Sequence, residues 1–224
     1  MSKNVLIVAA HPDDEVLGCG GVAARHAKQG DSVDVLIVSE GVTSRGDGGG
    51  AVAALADAAR KAAIVLGTRL PRFGGLPDNR LDTIALLDVV KIVEAIGEEI
   101  RPDVVYTHHA GDLNIDHQIV ARAVATAFRP ISNATAKAIY SFETLSSSEW
   151  ALPSAGTHFQ PCRFEDISDV LDLKVAALEC YASEMRDFPH PRSIDAVTAL
   201  ARIRGATAGL AAAEAFCVLR EVIT

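Results

Sequence analysis

Near the amino terminus, Ala10-His11-Pro12-Asp13-Asp14-Glu15 sets one imidazole beside three consecutive carboxylates. Like charges held that closely repel one another, and if buried they also lose hydration, so a cation or a set of hydrogen bonds must compensate. A second group, Thr107-His108-His109-Ala110-Gly111-Asp112-Leu113-Asn114-Ile115-Asp116-His117, adds three imidazoles and two further carboxylates. Imidazole nitrogen and carboxylate oxygen together make a donor set that zinc accepts in catalytic sites, where three protein ligands leave a position for water or substrate. The plainer alternative is that the acids of the first group only open a helix, whose positive N-terminal end favours them. That alternative leaves His11 and the whole second group unexplained.

The two groups act together only if the chain brings them to one place. Val5–Ala10 is an uninterrupted apolar run of strand length, as expected for a strand covered on both faces of a parallel sheet, and the pattern returns at Val33–Val38. Between them, Val16–Gln29 has apolar residues at helical intervals and stops at Gly30, which completes a βαβ unit. The spacing predicts further helices over Ala51–Leu66, Thr83–Ile100 and His117–Phe128, and strands over Asp103–Thr107 and Ala138–Phe142. In the second of these helices, Leu86, Leu87, Val90, Val93 and Ile96 are candidate core positions. Beyond Ser141 the rhythm loosens into a loop at Ser146–Gly156, a short strand at His158–Arg163, helices over Ile167–Ser183 and Ser193–Ala213, and an edge-like strand at Phe216–Val222. The alternation predicts a Rossmann-like α/β fold, a mostly parallel sheet sandwiched by helices, in a single domain over residues 1–224. Ligands of such sheets bind beyond the carboxyl ends of the strands. Each polar group directly follows an inner strand, so both are expected at the same cleft.

Ala10-His11-Pro12-Asp13-Asp14-Glu15, together with Asn114-Ile115-Asp116-His117, resembles the PIG-L (LmbE-like) deacetylases, whose signature is an AHPDDE box after the first strand and a later DH pair. Pro189-His190-Pro191-Arg192-Ser193, Arg204-Gly205, Gly209 and Ala213-Glu214-Ala215-Phe216 are also similar to members of that family, so the resemblance spans almost the whole chain. It implies a zinc-dependent hydrolase, with ferrous iron as the other metal the site could hold, that removes an N-acetyl group from an amino-sugar-containing small molecule of the N-acetylglucosamine type. Carried over by position, it makes His11, Asp14 and His117 the metal ligands. Asp13 becomes the general base toward a metal-bound water that attacks the amide carbonyl. That division agrees with the chemistry, because neighbouring carboxylates cannot easily both ligate from one turn.

Several sugar deacetylases of this family carry a His three residues before the ligand His, and here that position is Asn114. An amide donates a hydrogen bond but cannot release a proton, so Asn114 is expected to contact substrate. The missing imidazole must come from elsewhere. His109 and His190 are the catalytic candidates, with His108 as a substrate contact, and one of His108 and His109 is expected to face the cleft. Asp116 is expected to orient a cleft imidazole or the ligand itself. Arg45, beside the glycine stretch Gly46–Gly50, is a candidate for substrate hydroxyls or phosphate, and the stretch itself reads as a mobile loop.

A rival reading comes from Gly18-Cys19-Gly20-Gly21-Val22-Ala23, which matches the GxGxxA spacing of nucleotide-binding Rossmann proteins, with Glu40 where a ribose-binding acid would fall. That fingerprint needs its first glycine in the turn directly after the strand, yet His11–Leu17 intervene. The glycines are therefore expected to permit close helix packing. A metal-binding module without deacetylase activity is the third alternative, and the intact Asp13 counts against it. The chain has 21 Lys and Arg against 29 Asp and Glu, a formal net charge of −8 with no basic block, which disfavours nucleic acid and anionic membranes as partners. Cys19, Cys162, Cys180 and Cys217 are scattered without a CxxC pair, as in reduced cytoplasmic proteins. No apolar stretch has the length to insert in a membrane, and the first apolar run is too short for a signal peptide. A cytoplasmic protein is expected. The Ala-rich helices and a mean hydropathy of +0.22 add the expectation of a homo-oligomer.

Overall fold

The computed structural model describes residues 2–45, 49–131, 136–152 and 158–223. Part of the glycine stretch expected to be mobile, and part of the loop expected at Ser146–Gly156, lie outside the described residues. β1 (Asn4–Ala9), α1 (Asp14–Lys28) and β2 (Ser32–Ser39) form the first βαβ unit. Then follow α2 (Gly49–Leu66), β3 (Arg72–Leu76), α3 (Leu86–Ile100), β4 (Val104–His108), α4 (Ile115–Ala127) and β5 (Ala138–Phe142). The chain finishes with β6 (Arg163–Asp166), α5 (Leu171–Glu179), α6 (Ile194–Ala208) and β7 (Ala213–Glu221).

The seven strands form one sheet in the order β3-β2-β1-β4-β5-β7-β6. β1 to β5 run parallel, and β7 lies antiparallel to both of its neighbours. Every residue of β4 and β5 is buried, as are Val5 to Ala9 of β1, which is why these strands read as continuous apolar runs. One face of the sheet packs Val22, Leu55, Leu178 and Val197 from α1, α2, α5 and α6. The other packs Val90, Val93, Val120 and Val124 from α3 and α4.

The larger boundary shifts from the sequence expectation fall in α3 and in the last third of the chain. α3 begins at Leu86 rather than Thr83, because Leu81–Thr83 is a separate 3-10 turn that buries Leu81. Leu86 and Leu87 are consequently exposed, while Val89, Val90 and Val93 face the core. α6 stops at Ala208, where Gly209 takes a left-handed conformation with φ 74°, and Ala213 already belongs to β7. The helix expected over Ile167–Ser183 is only Leu171–Glu179, and the strand expected at His158–Arg163 begins at Arg163. β3 was not expected at all. Its sequence, Arg-Phe-Gly-Gly-Leu, has little strand character, yet a Cβ on Gly74 would meet the Val38 carbonyl oxygen, so this edge strand approaches β2 only as glycine.

Two features of this frame position the cleft. The chain leaves β1 toward β2 on one side, while β4 pairs on its other side, so the crevice of the sheet opens where the β1 and β4 ends lie together. α1 is also broken at Cys19, with φ −150° and ψ 28°. The break is bridged from outside the helix. Lys174 donates from Nζ to the Leu17 carbonyl at 2.8 Å, and Glu214 accepts from the Gly21 and Val22 N–H groups at 2.9 and 2.7 Å. Lys174 and Glu214 also meet each other at 2.6 Å, both buried. The front half of α1 thus presents the acidic box, and the rear half packs on the sheet.

Candidate metal centre

The turn from β1 into α1 places His11, Asp13 and Asp14 at the sheet edge, and the start of α4 brings His117 to meet them. His11 Nδ1 and His117 Nε2 each lie 3.1 Å from Asp14 Oδ2, and the two nitrogens are 3.3 Å apart. These are three donor atoms of the kinds a divalent cation takes, on residues of which Asp14 and His117 are buried and His11 nearly so. Asp14 Oδ1, also buried, has no hydrogen-bond partner among the described residues. An ionised carboxylate oxygen without a partner is costly in such a place, and a cation at the three donors would relieve it. The residues present therefore fit a metal.

A second ring of carboxylates holds the imidazoles. Asp116 Oδ2 lies 3.1 Å and Asp78 Oδ1 3.3 Å from His11 Nε2, while Asp112 Oδ1 lies 3.1 Å from His117 Nδ1. Each acid is anchored in turn. Asp116 Oδ1 accepts the Leu81 N–H at 3.0 Å, Asp112 accepts the hydroxyls of Ser147 and Ser148, and Asp78 accepts the Ser44 hydroxyl. Imidazole with a carboxylate on its far nitrogen is the usual second layer of a metal site, fixing ring orientation. The acids also govern charge. Burial opposes protonation of His11, but Asp116 and Asp14 outweigh it and raise its pKa to about 10. His117 is raised to about 9, with Asp14 and Asp112 overcoming burial. The pocket favours positive charge where the three donors meet.

Asp13 stands beside this set. Its backbone has φ 110°, a conformation that side-chain-bearing residues rarely adopt. Its N–H donates to Glu15 Oε2 at 3.1 Å, and Glu15 is itself gripped by the Tyr181 hydroxyl. Arg192 Nη1 donates to Asp13 Oδ2 at 2.7 Å and Arg192 Nε to the Ser146 hydroxyl at 2.7 Å. Burial pushes the Asp13 carboxyl up to about 8, with Arg192 pulling against it. A carboxyl so placed can exchange a proton near neutral pH.

The other sequence candidates are placed as follows. His108 is fully buried. Its Nε2 accepts the Ala10 N–H at 2.9 Å and its ring stacks on His117 at 3.9 Å, so it backs that residue instead of facing the opening as a substrate contact. His109 packs edge-on against Phe159 at 5.4 Å. Asn114 caps α4, its Oδ1 accepting the Asp116 N–H at 2.8 Å and its Nδ2 donating to Asn79 at 3.0 Å, so a role in the helix start takes its amide. Arg45 ends a short 3-10 turn after β2, and its side chain lies outside the described residues. His190 sits on the far side of Arg192, its Nδ1 accepting the Arg192 N–H at 3.1 Å. The glycines of the rival nucleotide reading are packed: a Cβ on Gly18 would overlap the Phe142 ring, and one on Gly21 would overlap Ile167. Glu15 and Asp112 stand in the two polar groups of the sequence without a role of their own there, whereas Asp78, Tyr181 and the Arg192 contact to Asp13 are not singled out by it. Only Asp78 had a usable signal, since it follows a strand end, but that strand was itself not recognised.

A Rossmann-like α/β sheet with an imidazole and carboxylate donor set at its switch point makes a cleft whose donors could hold a cation. The sequence profile described as PIG-L, GlcNAc-PI de-N-acetylase, matches residues 6–128, the span that holds every donor of that set. The deacetylase YaiS of Escherichia coli K12, described as uncharacterised, is 31% identical over 187 residues, covering 81% of this chain and 91% of its own. The 1D-myo-inositol 2-acetamido-2-deoxy-alpha-D-glucopyranoside deacetylase of Rhodococcus erythropolis is 38% identical over 155 residues, 56% of this chain and 52% of its own. The 4-oxalmesaconate hydratase of Pseudomonas putida is 30% identical over 205 residues, 81% and 74% of the two chains. In fold, the chain is similar to the solved structure of GalB, a 4-carboxy-2-hydroxymuconate hydratase from Pseudomonas putida, with TM-score 0.79, 23% identity and 99% and 98% coverage. The chain belongs to the PIG-L family, a family of deacetylases that also has hydratase relatives.

Proposed function

We propose that this chain is a metal-dependent N-deacetylase that hydrolyses an acetamide on an amino-sugar-containing small molecule in the cytoplasm, with zinc or ferrous iron held by His11, Asp14 and His117. The observation that carries the reading is the meeting of those three donor atoms beside Asp14 Oδ1, a buried acceptor with no partner among the described residues. When bound, such a metal polarises a carbonyl oxygen and acidifies water. The chain supplies the rest. Asp13 takes a proton from the attacking water on its carboxylate and returns it to the leaving nitrogen. Arg192 fixes Oδ2 of that carboxylate, and the Glu15 and Tyr181 contacts fix its backbone. Asp112, Asp116 and Asp78 hold the two ligand imidazoles in orientation, and His108 walls the back of the cleft against water. No helix among the described residues is long and apolar enough to cross a membrane, which fits a freely diffusing substrate.

The hydratase relative favours a second reading, in which the same base delivers water to a carbon–carbon double bond. The two reactions differ in product. Metal analysis of the purified protein, paired with amine release from a panel of N-acetyl sugars with and without chelator, decides between them. About one metal per chain with chelator-sensitive amine release is the expected result. A metal-loaded protein that releases no amine yet hydrates an unsaturated acid would overturn the deacetylase reading, and a protein that binds no metal would overturn both.

A further inference from the structure

Arg192, which holds Asp13, also lines an open cavity of about 290 Å3 together with Ser146, Glu184, Arg186 and His190. Its lining is rich in donors. Arg192 is shared between Asp13 at 2.7 Å and Glu184 at 3.8 Å. Arg186 donates from Nη1 to the carbonyl oxygens of Ser183 and Met185 at 2.7 and 2.8 Å, which hold those N–H groups without cancelling the charge. His190 accepts at Nδ1 and is left with a donor at Nε2. Arg192 is thus taken up by two carboxylates, which leaves Arg186 as the guanidinium of this lining with no carboxylate partner among the described residues, beside the His190 donor. A neutral sugar hydroxyl gains little from such a lining, whereas a carboxylate or phosphate gains charge-assisted hydrogen bonds from forked donors.

We propose that this cavity is a subsite for an anionic group, a carboxylate or a phosphate, carried by the substrate. Arg186 is its specificity-determining residue. The subsite deepens the deacetylase reading by naming the substrate class, and it rests on that reading only for what the bound molecule then undergoes. Arg192 ties the two places together, because one guanidinium borders the anion and holds the base. Ionic strength enters as a consequence: an anionic substrate held in an open cavity loses affinity as salt rises, and a neutral one does not.

Two measurements test the subsite, one of which needs no turnover. Trp150 is the only tryptophan, and its ring lies edge-on to His190 at 6.0 Å, so its fluorescence reports the cavity. Titration of the metal-loaded protein with inorganic phosphate should give a saturable change that Arg186→Gln weakens about tenfold, the typical size of one charge-assisted contact. Glucose at the same concentrations should give none. In turnover, N-acetylglucosamine 6-phosphate and N-acetylmuramic acid, one phosphate and one carboxylate, should exceed N-acetylglucosamine in kcat/KM, mainly through KM. Arg186→Gln should bring that ratio close to one, and whichever anion it affects more identifies the preferred source. Phosphate binding that is absent, or that Arg186→Gln leaves unchanged because the anion sits elsewhere, overturns the subsite. Phosphate binding that depends on Arg186 in a protein releasing no amine from any sugar upholds the subsite and overturns the deacetylase reading instead.

Discussion

Two buried clusters of charge lie within a few residues of each other along α1, and they are built on opposite terms. At the break in the helix, Lys174 and Glu214 are each other's counter-charge, and their remaining hydrogen bonds go to backbone groups that the break leaves open. At the front of the helix, Asp14, Asp78, Asp112 and Asp116 crowd around the imidazoles of His11 and His117, and one buried oxygen of Asp14 has no partner among the described residues. The first cluster closes on itself and has no use for a ligand. The second leaves an acceptor that no described group takes up, beside three donor atoms that could hold a cation. Burial alone therefore does not mark a functional site. What marks it is a charge balance that the chain does not itself supply.

The comparison breaks most sharply at the donors. His11→Ala, Asp14→Ala and His117→Ala should each lose metal and activity together, read by elemental analysis and amine release; full metal retention in all three would sink the ligand assignment. Asp13→Asn should keep the metal and lose roughly 10²–10⁴-fold in kcat, the usual worth of a positioned base. Breaking the closed cluster should show in stability alone. Lys174→Met leaves a buried carboxylate uncompensated and should cost about 3–5 kcal/mol in urea unfolding, with metal content per folded chain unchanged. A Lys174→Met, Glu214→Gln double variant should recover only part of that loss, because Gln removes the buried charge but its single oxygen can accept from only one of the Gly21 and Val22 N–H groups.

The second ring of carboxylates should give a smaller effect. Asp112→Asn should weaken metal binding by roughly 10–100-fold, measured by competition with a chelating dye. The same affinity in wild type and variant would show that Asp112 does not orient His117. The smallest effect belongs to an outer pair that calibrates both clusters, His26 with Asp31 at 2.7 Å. Burial nudges the Asp31 carboxyl up, but the Lys3 N–H and His26 outweigh it and hold it below its ordinary value of 3.8. Its stabilisation is thus present above that value and fades as pH falls through the lowered one. His26→Gln should lower the urea midpoint slightly at pH 7 and by less near pH 2.

The parts of the molecule legible in the sequence are those whose signal is local. β1, β2, β4 and β5 are buried on both faces and so appear as apolar runs, and the box after β1 and the pair opening α4 carry their chemistry in adjacent residues. β3 is illegible because Gly74 answers to the backbone of β2 and Gly75 to a left-handed conformation, φ 69°, not to any strand propensity. With β3 unread, Asp78 could not be recognised as another residue just beyond a strand's carboxyl end. Arg192 and Tyr181 were beyond reach for a different reason. They meet Asp13 and Glu15 across 179 and 166 positions of chain, and nothing in the types or spacing of the residues encodes such a meeting. Asn114 shows the converse, where a departure from the family's pattern drew attention to chemistry and the residue proved to be engaged as a helix cap.

The order in which these contacts become available during synthesis has a consequence of its own. The three donors, and the acids that orient them, have all left the ribosome once residue 117 has emerged. Lys174, Tyr181, Arg192 and Glu214, which brace the broken helix and the strained turn, come from the last quarter of the chain. A nascent chain therefore displays every donor of the candidate metal set well before it owns the contacts that brace the broken helix and the turn at Asp13.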